Sequence, residues 1–297
     1  MVRNYRLAIL CFALPVIAGS VAARAETFAI KLSRSSVVGQ RDLLSASVQE
    51  DLVLAITVEG REIKHEDHST CRFTVAQEIL QVSPKGNPLR ASLTVRSFTC
   101  EENGVSTQLK VGDVIAAHLD AGDTVFELRG AALPSKFRAA LETVFALHSD
   151  DESSEDEAYG TSQRRSLGES WSVNPELVAK RMMLRHLIVA PEDVSGSVTL
   201  VGRKSVANRP CLEVRSTLEL RNAQFASRTT SSDLKMRVPV LRYAGTKLVP
   251  LDPSLPLPEE TERAEGPAAV TGMADDVDIS AGATFVVTVH SERAPIR

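Results

Sequence analysis

The sequence predicts a mainly β protein of the α+β class: antiparallel curved sheets, or a half-barrel, carrying two helices. Two observations lead there. Short runs of alternating or β-branched residues recur at the turn spacing of antiparallel meanders near both ends of the chain. Between them lie two stretches of helical periodicity, each opened by a proline and separated by an acidic run.

Residues 1–25 read as a cleavable secretory signal peptide. Arg3 and Arg6 precede an apolar run, Leu7 to Ala18, that is too short for a comfortable membrane span. Ala23-Arg24-Ala25 then supplies a small-x-small cleavage pattern, so the mature chain begins near Glu26. Cys11 follows Ala8-Ile9-Leu10 and lacks the small residue that precedes a lipoprotein cysteine, so it counts as an ordinary leader residue. The expected location is the periplasm or the outside of the cell, with no transmembrane segment after signal cleavage.

Residues 26–133 form an N-terminal β-rich part. Thr27 to Leu32 alternates with period two, and Leu52 to Val58 is rich in aliphatic and β-branched types. Val105 to Leu109, Val114 to Leu119 and Thr124 to Leu128 are further short strands, punctuated by Gly60, Gly86, Asn103-Gly104, Gly112 and Gly122.

Residues 134–192 read as helix, acidic linker, helix. Pro134 opens the first, over 134–148, with Phe137, Leu141, Val144 and Phe145 on one face. Six carboxylates within Asp150–Glu157 repel one another and predict a mobile linker. The second helix, 175–188, has Asn174 as N-cap and Pro175 at its first position.

Strands return in a C-terminal β-rich part, 193–297: Ser197 to Val201, Cys211 to Leu220, Phe225 to Thr230, Leu234 to Leu241 and Thr284 to His290. Residues 250–276, with four prolines by Pro258 and the run Glu259-Glu-Thr-Glu262, read as a long exposed loop.

In an oxidising compartment the natural disulfide joins Cys71 and Cys100. Ser83-Pro84-Lys85-Gly86 has the residues of a type I turn, and a hairpin centred between Lys85 and Gly86 sets Cys71 opposite Cys100 and Phe73 opposite Phe98. Cys211 is then the odd thiol and reads as a buried core cysteine.

Removing Arg3, Arg6 and Arg24 with the leader leaves 31 basic against 38 acidic residues, net −7, which argues against nucleic acid as a partner. Aromatic residues make up 4% of the chain and Trp171 is the single tryptophan, which argues against a glycan-stacking surface.

Candidate catalytic patterns fail on inspection. Gly168-Glu169-Ser170-Trp171-Ser172 lacks the final glycine of a hydrolase elbow, and Trp171 reads instead as a packing anchor. His65-Glu66-Asp67-His68 has i, i+3 spacing in strand context, which points the imidazoles to opposite sides, so no metal is expected. Ser232-Asp233-Leu234-Lys235 matches S-x-x-K but reads as strand. No cofactor fingerprint is present. The second helix is unusually apolar; Met182, Met183 and Leu187 are the candidates to face an apolar ligand.

The order of parts, with Gly168-Glu169-Ser170-Trp171 after the acidic run, resembles a family of secreted bacterial β-rich proteins with a G-[DE]-[ST]-W element. That resemblance implies neither an activity nor a catalytic residue. At the level of fold the chain is also similar to periplasmic lipoprotein carriers, whose half-barrel holds acyl chains beneath helices. The expectation is a non-catalytic exported cell-envelope protein that binds or scaffolds, with an apolar ligand, a lipid or another envelope protein as partner. A periplasmic hydrolase and a purely structural interaction protein are the alternatives.

Overall fold

A computed structural model describes residues 26–58, 61–184, 186–225, 235–274 and 277–296. Residues 1–25, the expected signal peptide, lie outside the described residues, as do Arg185, residues 226–230 of the expected Phe225–Thr230 strand, and Ser232, Asp233 and Leu234.

The N-terminal part contains β1 (Thr27–Phe28), β2 (Arg41–Val58), β3 (Arg61–Val82), β4 (Pro88–Glu102), β5 (Val105–Gln108), β6 (Val114–Asp120), β7 (Asp123–Leu128) and β8 (Ala131–Ala132). Then come α1 (Ser135–Val144), α2 (Glu155–Tyr159), β9 (Arg165–Ser166), β10 (Ser170–Ser172), α3 (Pro175–Leu184) and β11 (Leu187–Ile188). A 3-10 turn at Pro191–Asp193 leads into β12 (Val194–Val206), β13 (Arg209–Phe225), β14 (Lys235–Pro250), β15 (Glu259–Ala274) and β16 (Val277–Pro295).

Every strand pair is antiparallel. β1 pairs with β9; the other strands make one curved, unclosed sheet in the order β10-β12-β13-β14-β15-β16-β2-β3-β4-β6-β7-β8, with β5 on β4 and β11 on β13. The last strand closes against the first long one: β16 pairs with β2 from Ser280–Thr57 to Pro295–Asp42. The two β-rich parts of the sequence therefore share one sheet.

The disulfide hairpin forms as the residue arithmetic expects. Cys71 is bonded to Cys100, and Phe73 stands opposite Phe98 with ring centroids 4.6 Å apart. The register then shifts at Thr74/Val75 and again near the turn, so the bulges lie beyond the bridge and leave its pairing intact. In the turn, Gly86 N–H donates to Ser83 O at 3.0 Å; Gly86 has φ +83°, and a Cβ there would meet Ser35 Cβ at 2.8 Å.

Two apolar cores sit on one sheet. The first gathers α1 with β2, β3, β4, β6 and β7 around Leu44, Val75, Leu93, Ile115 and Leu141. The second gathers α3 with β12, β13 and β14 around Val178, Leu200, Leu212 and Val238. Phe28, Ile30 and Leu32 are buried in that second core. The period-two pattern at the N-terminus is thus a strap: it pairs as strand only over Thr27–Phe28, then continues extended across the core.

Several expectations need correction. The first helix ends at Val144, not 148: Phe145 is extended (φ −138°), and buried Phe145 and Leu147 flank exposed Ala146, a strand alternation that replaces the helical stripe. The second helix ends at Leu184 rather than 188. His186 takes a left-handed turn (φ +59°), and β11 follows so that Leu187 is buried opposite Phe225.

The acidic run 150–157 is not a mobile linker. Asp150 accepts from Ser83 Oγ and Asn87 Nδ2, and Glu157 forms a capping box with Ser154 at the start of α2. Asp156 accepts the backbone N–H of Leu32 at 2.6 Å and of Ser33 at 3.2 Å. The self-repulsion is offset by donors from distant segments, which local composition does not reveal. Asp156→Ala is therefore expected to release the N-terminal strap: hydrogen exchange at Leu32 and Ser33 should accelerate at least about tenfold while the β2–β3 ladder stays protected. Equal protection in wild type and variant would contradict this role.

Residues 250–276 are not a loop throughout, since 259–274 form β15 between β14 and β16. The prolines hide the strand. The β14–β15 ladder is interrupted between Arg237–Ala269 and Arg242–Glu265, and Pro239 and Pro267 both fall inside that gap. Gly266 lies in the same gap, where a Cβ would meet Val240 O at 2.4 Å.

Candidate functional site

The strand registers lay out the concave face row by row, because alternate residues of each strand share a face. One row runs Ala46–Ser291–Glu260–Lys247–Val214 across β2, β16, β15, β14 and β13. The next is Val48–Val289–Glu262–Gly245–Ser216, followed by Glu50–Val287–Ala264–Tyr243–Leu218. Beyond these, Leu52–Phe285–Gly266 and Leu54–Ala283–Ala268 are apolar, as is the outermost row Ile63–Ile56–Ala281–Val270–Met236–Phe225–Leu187. Polarity therefore changes along the strands, from a charged end to an apolar shelf.

At the charged end, Lys247 Nζ lies 2.8 Å from Glu155 and 2.6 Å from Glu260. Burial opposes its charge, but Glu155, Glu260 and Glu262 outweigh that and hold the ammonium above the ordinary lysine range. Burial pushes the Glu260 carboxyl up; Lys247 counters this, and neighbouring Glu262 reinforces it. Arg181 of α3 reaches Glu155 at 3.7 Å and donates to Ser153 O at 2.6 Å. Burial pulls the Arg293 guanidinium down, against the fields of Glu260, Asp42 and Glu155. The network ties α2 and α3 to the middle of the sheet.

Between α1 and the end of α3 lies a cavity of about 360 Å³. Its floor is the Glu50–Val287–Ala264–Tyr243 row; one wall is α1 with Phe145–His148, the other Leu184 and His186. His186 Nε2 comes within 3.6 Å of Asp123 at the start of β7. Burial pushes the Glu50 carboxyl up. Burial also acts on Glu152, but hydrogen bonds from His148 Nδ1 (2.7 Å) and Ser149 N–H (3.0 Å) prevail and hold it below the usual range. A second, smaller space of about 40 Å³ under α3 shares Tyr243 and Glu262 with this cavity.

The three methionine and leucine candidates do not converge. Met182 is buried and lines the smaller space; Met183 is 57% exposed beside Ile188 and Pro191; Leu187 is a core residue opposite Phe225. Leu184, not singled out beforehand, lines the larger cavity. The charged row was missed because β15 read as loop. A signal was present: Glu260 and Glu262 share one strand face with Ala264, and Glu50 shares one with Leu52.

Other marked residues have local roles. Trp171 is buried and donates Nε1–H to Tyr159 O at 2.8 Å, anchoring the chain after α2. Ser170 Oγ pairs with Thr199 Oγ1 at 2.7 Å in an exposed ladder position. His68 contacts Asp51 of β2 at 2.5 Å and His65 contacts Asp67 of its own strand at 2.9 Å; their odd and even positions put the imidazoles on opposite faces of β3. Among the described residues no three His, Cys, Asp or Glu side chains group as a metal site, and no helix is long and apolar enough to cross a membrane. Cys211 is a free thiol, 1% exposed, and burial pushes it up.

No family model matches the sequence, and no curated protein matches it. Among solved structures the chain is similar to OccK7 of Pseudomonas aeruginosa, at 8% identity over 87% of this chain and 100% of that one, with a TM-score of 0.24. It is also similar to an outer membrane channel from Pseudomonas putida, at 8% identity over 87% of this chain and 97% of the other (TM-score 0.20). A LolA superfamily protein from Nitrosomonas europaea matches at 10% identity over 84% and 85% of the two chains (TM-score 0.16). At these scores none of them bears on what the chain does.

Proposed function

We propose that this chain is a non-catalytic exported protein of the cell envelope that binds an apolar ligand in the cleft between α1 and α3. The observation that carries the reading is the cavity of about 360 Å³ between α1 and the end of α3, with Phe145, Leu147, Leu184, Val287 and Val289 among its lining. A concave site that combines apolar side chains with convergent polar groups is the usual form of a small-molecule site. The leader and the Cys71–Cys100 bridge support an oxidising compartment, periplasmic or secreted. In this reading Met182 seals the inner end of the cleft, where an adaptable side chain suits varied ligands. Met183 with its exposed neighbours, and Leu187 beneath them, shape the outer edge.

The hydrolase alternative draws on the His148–Glu152 pair in the cavity wall. Against it, the wall hydroxyls serve the backbone: Thr143 Oγ1 donates to Ala140 O, and Thr124 Oγ1 accepts from Leu147 N–H. Neither is positioned as a nucleophile on the histidine.

Native mass spectrometry of protein taken from its own envelope, followed by organic extraction, tests the proposal. A stoichiometric apolar ligand is expected, lost in Val287→Phe, which fills the cavity floor, with thermal unfolding still cooperative. Protein that is empty from every preparation, with unchanged mass in wild type and variant, would leave only the structural role.

A further inference from the structure

The N-terminal strap is bound to the body more like a peptide ligand than like a strand. Phe28, Ile30 and Leu32 are buried in the second core, while Ala29 and Lys31 between them are exposed. Its ladder stops after two pairs, Thr27–Ser166 and Phe28–Arg165. The chain beyond is next held by the Asp156 carboxylate, which accepts from Leu32 and Ser33 N–H. Other ties lie at the surface: Arg203 reaches Glu26 at 3.0 Å, Lys31 reaches Asp156 at 2.9 Å, and Arg164 donates to Thr27 O. The hold is therefore chiefly the burial of three side chains, spaced over about 13 Å of extended chain.

What the strap covers adjoins the cleft. Leu32 helps to close the space of about 40 Å³ under α3, with Tyr159, Met182, Val198, Val214 and Tyr243. Tyr243 and Glu262 line both this space and the cavity of about 360 Å³, so they form the partition between them. After the strap, irregular chain runs to β2 and is tied at Ser36, whose N–H donates to Gly86 O at 2.8 Å. Residues 26–33 can lift about that tie without unpairing β2.

We propose that the strap is a displaceable plug: Phe28, Ile30 and Leu32 occupy the inner part of the ligand site, and an acyl chain entering from the α1–α3 cleft takes their place. The proposal rests on the apolar-ligand reading above and adds the ligand's class and the gate that admits it. Three physical points support it. The strap presents to the second core what an acyl chain presents, a narrow and continuous apolar edge. Exchange of one for the other covers the same apolar walls again, so little of the area exposed when the strap leaves stays in water. A segment with two ladder pairs and one carboxylate clamp sits at the low-stability end of the molecule, from which gating elements are drawn.

Calorimetric titration of the mature protein with decanol, combined with hydrogen exchange, tests this. Decanol is expected to bind one per chain and to speed exchange at Leu32 and Ser33 at least about tenfold, whereas a ligand that merely fills a site protects its surroundings. Asp156→Ala loosens the plug and should tighten decanol about tenfold, because affinity scales with the fraction of chains whose site is open. A disulfide made by Thr27→Cys with Ser166→Cys, partners in the β1–β9 register, ties the strap at both ends. Decanol should bind that protein at least about tenfold more weakly than either single-cysteine variant. Protected amides in the Cys71–Cys100 hairpin show that each variant is folded; if Asp156→Ala is not, the lock and the exchange rates still decide. Equal affinity in wild type and locked protein, or strap amides that exchange no faster with decanol bound, overturns the plug and leaves an apolar ligand in the cleft. Decanol that binds none of the proteins removes the apolar-ligand reading and the plug together.

Discussion

Replacing both Cys71 and Cys100 with alanine is expected to destabilise the protein by about 3.5 kcal/mol, the loop-closure value for the sequence separation of 29. The bridge lies inside the first core rather than on the surface, so the loss extends beyond chain entropy. Phe98 stacks between Phe73 at 4.6 Å and Phe137 of α1, edge-on at 5.0 Å, and the Lys136 carbonyl lies 3.9 and 4.0 Å from the two sulfurs. The same helix forms one wall of the cavity. Urea unfolding monitored by fluorescence and by far-ultraviolet circular dichroism should show a lower midpoint, with α1 exchanging its amides before β12 and β13. Cys211→Ser should cost far less than the double replacement. A double alanine variant within about 1 kcal/mol of wild type would show that the unfolded chain is already constrained in this hairpin.

What could be read from the residues alone follows from how local the cause is. The Cys71–Cys100 register needs only a turn signal and arithmetic along two adjacent strands. Asn174-Pro175 marks the start of α3 through groups within one turn: Asn174 Oδ1 accepts from Leu177 N–H at 3.3 Å. The failures share the opposite property. The carboxylates at 150–157 are ordered by Leu32, Ser33, Ser83, Asn87 and Lys247, each far away in sequence. β15 carries Glu260 and Glu262 inward because its concave face meets a charged network rather than an apolar core, so the usual period-two hydrophobic signal is inverted. Met182 and Met183 are neighbours on an apolar helix, but adjacent helical residues diverge by about 100°, and here one is buried and the other exposed. The cavity itself draws on β2, β14, β15, β16, α1 and α3, and no single stretch of sequence contains its outline.

Lys247→Met is expected to cost about 3–5 kcal/mol at neutral pH, the range for removing one partner of a buried ion pair. The methionine would fill a similar volume, so the loss isolates the charge. Without the ammonium, Glu155 and Glu260 face each other beside Glu262, with Arg181 still 3.7 Å from Glu155. The pH dependence follows from the direction of each shift. Lys247 is raised in the folded protein, so its stabilising contribution is fully present below the unfolded lysine value and is lost only in strong alkali; it is constant between pH 5 and 9. Glu260 is raised by burial even with Lys247 present, and losing the lysine raises it further. A raised carboxyl stabilises the fold relatively more as pH falls, because the folded state takes up its proton first. The gap between variant and wild type should therefore be widest near pH 7–8 and narrow toward pH 5, seen as converging unfolding midpoints across a pH series. Lys247→Arg keeps the charge and should recover part of the loss, limited by the fit of the larger guanidinium between Glu155 and Glu260. A gap that stays constant with pH would mean that the methionine's packing, and not the unpaired carboxylates, sets the cost.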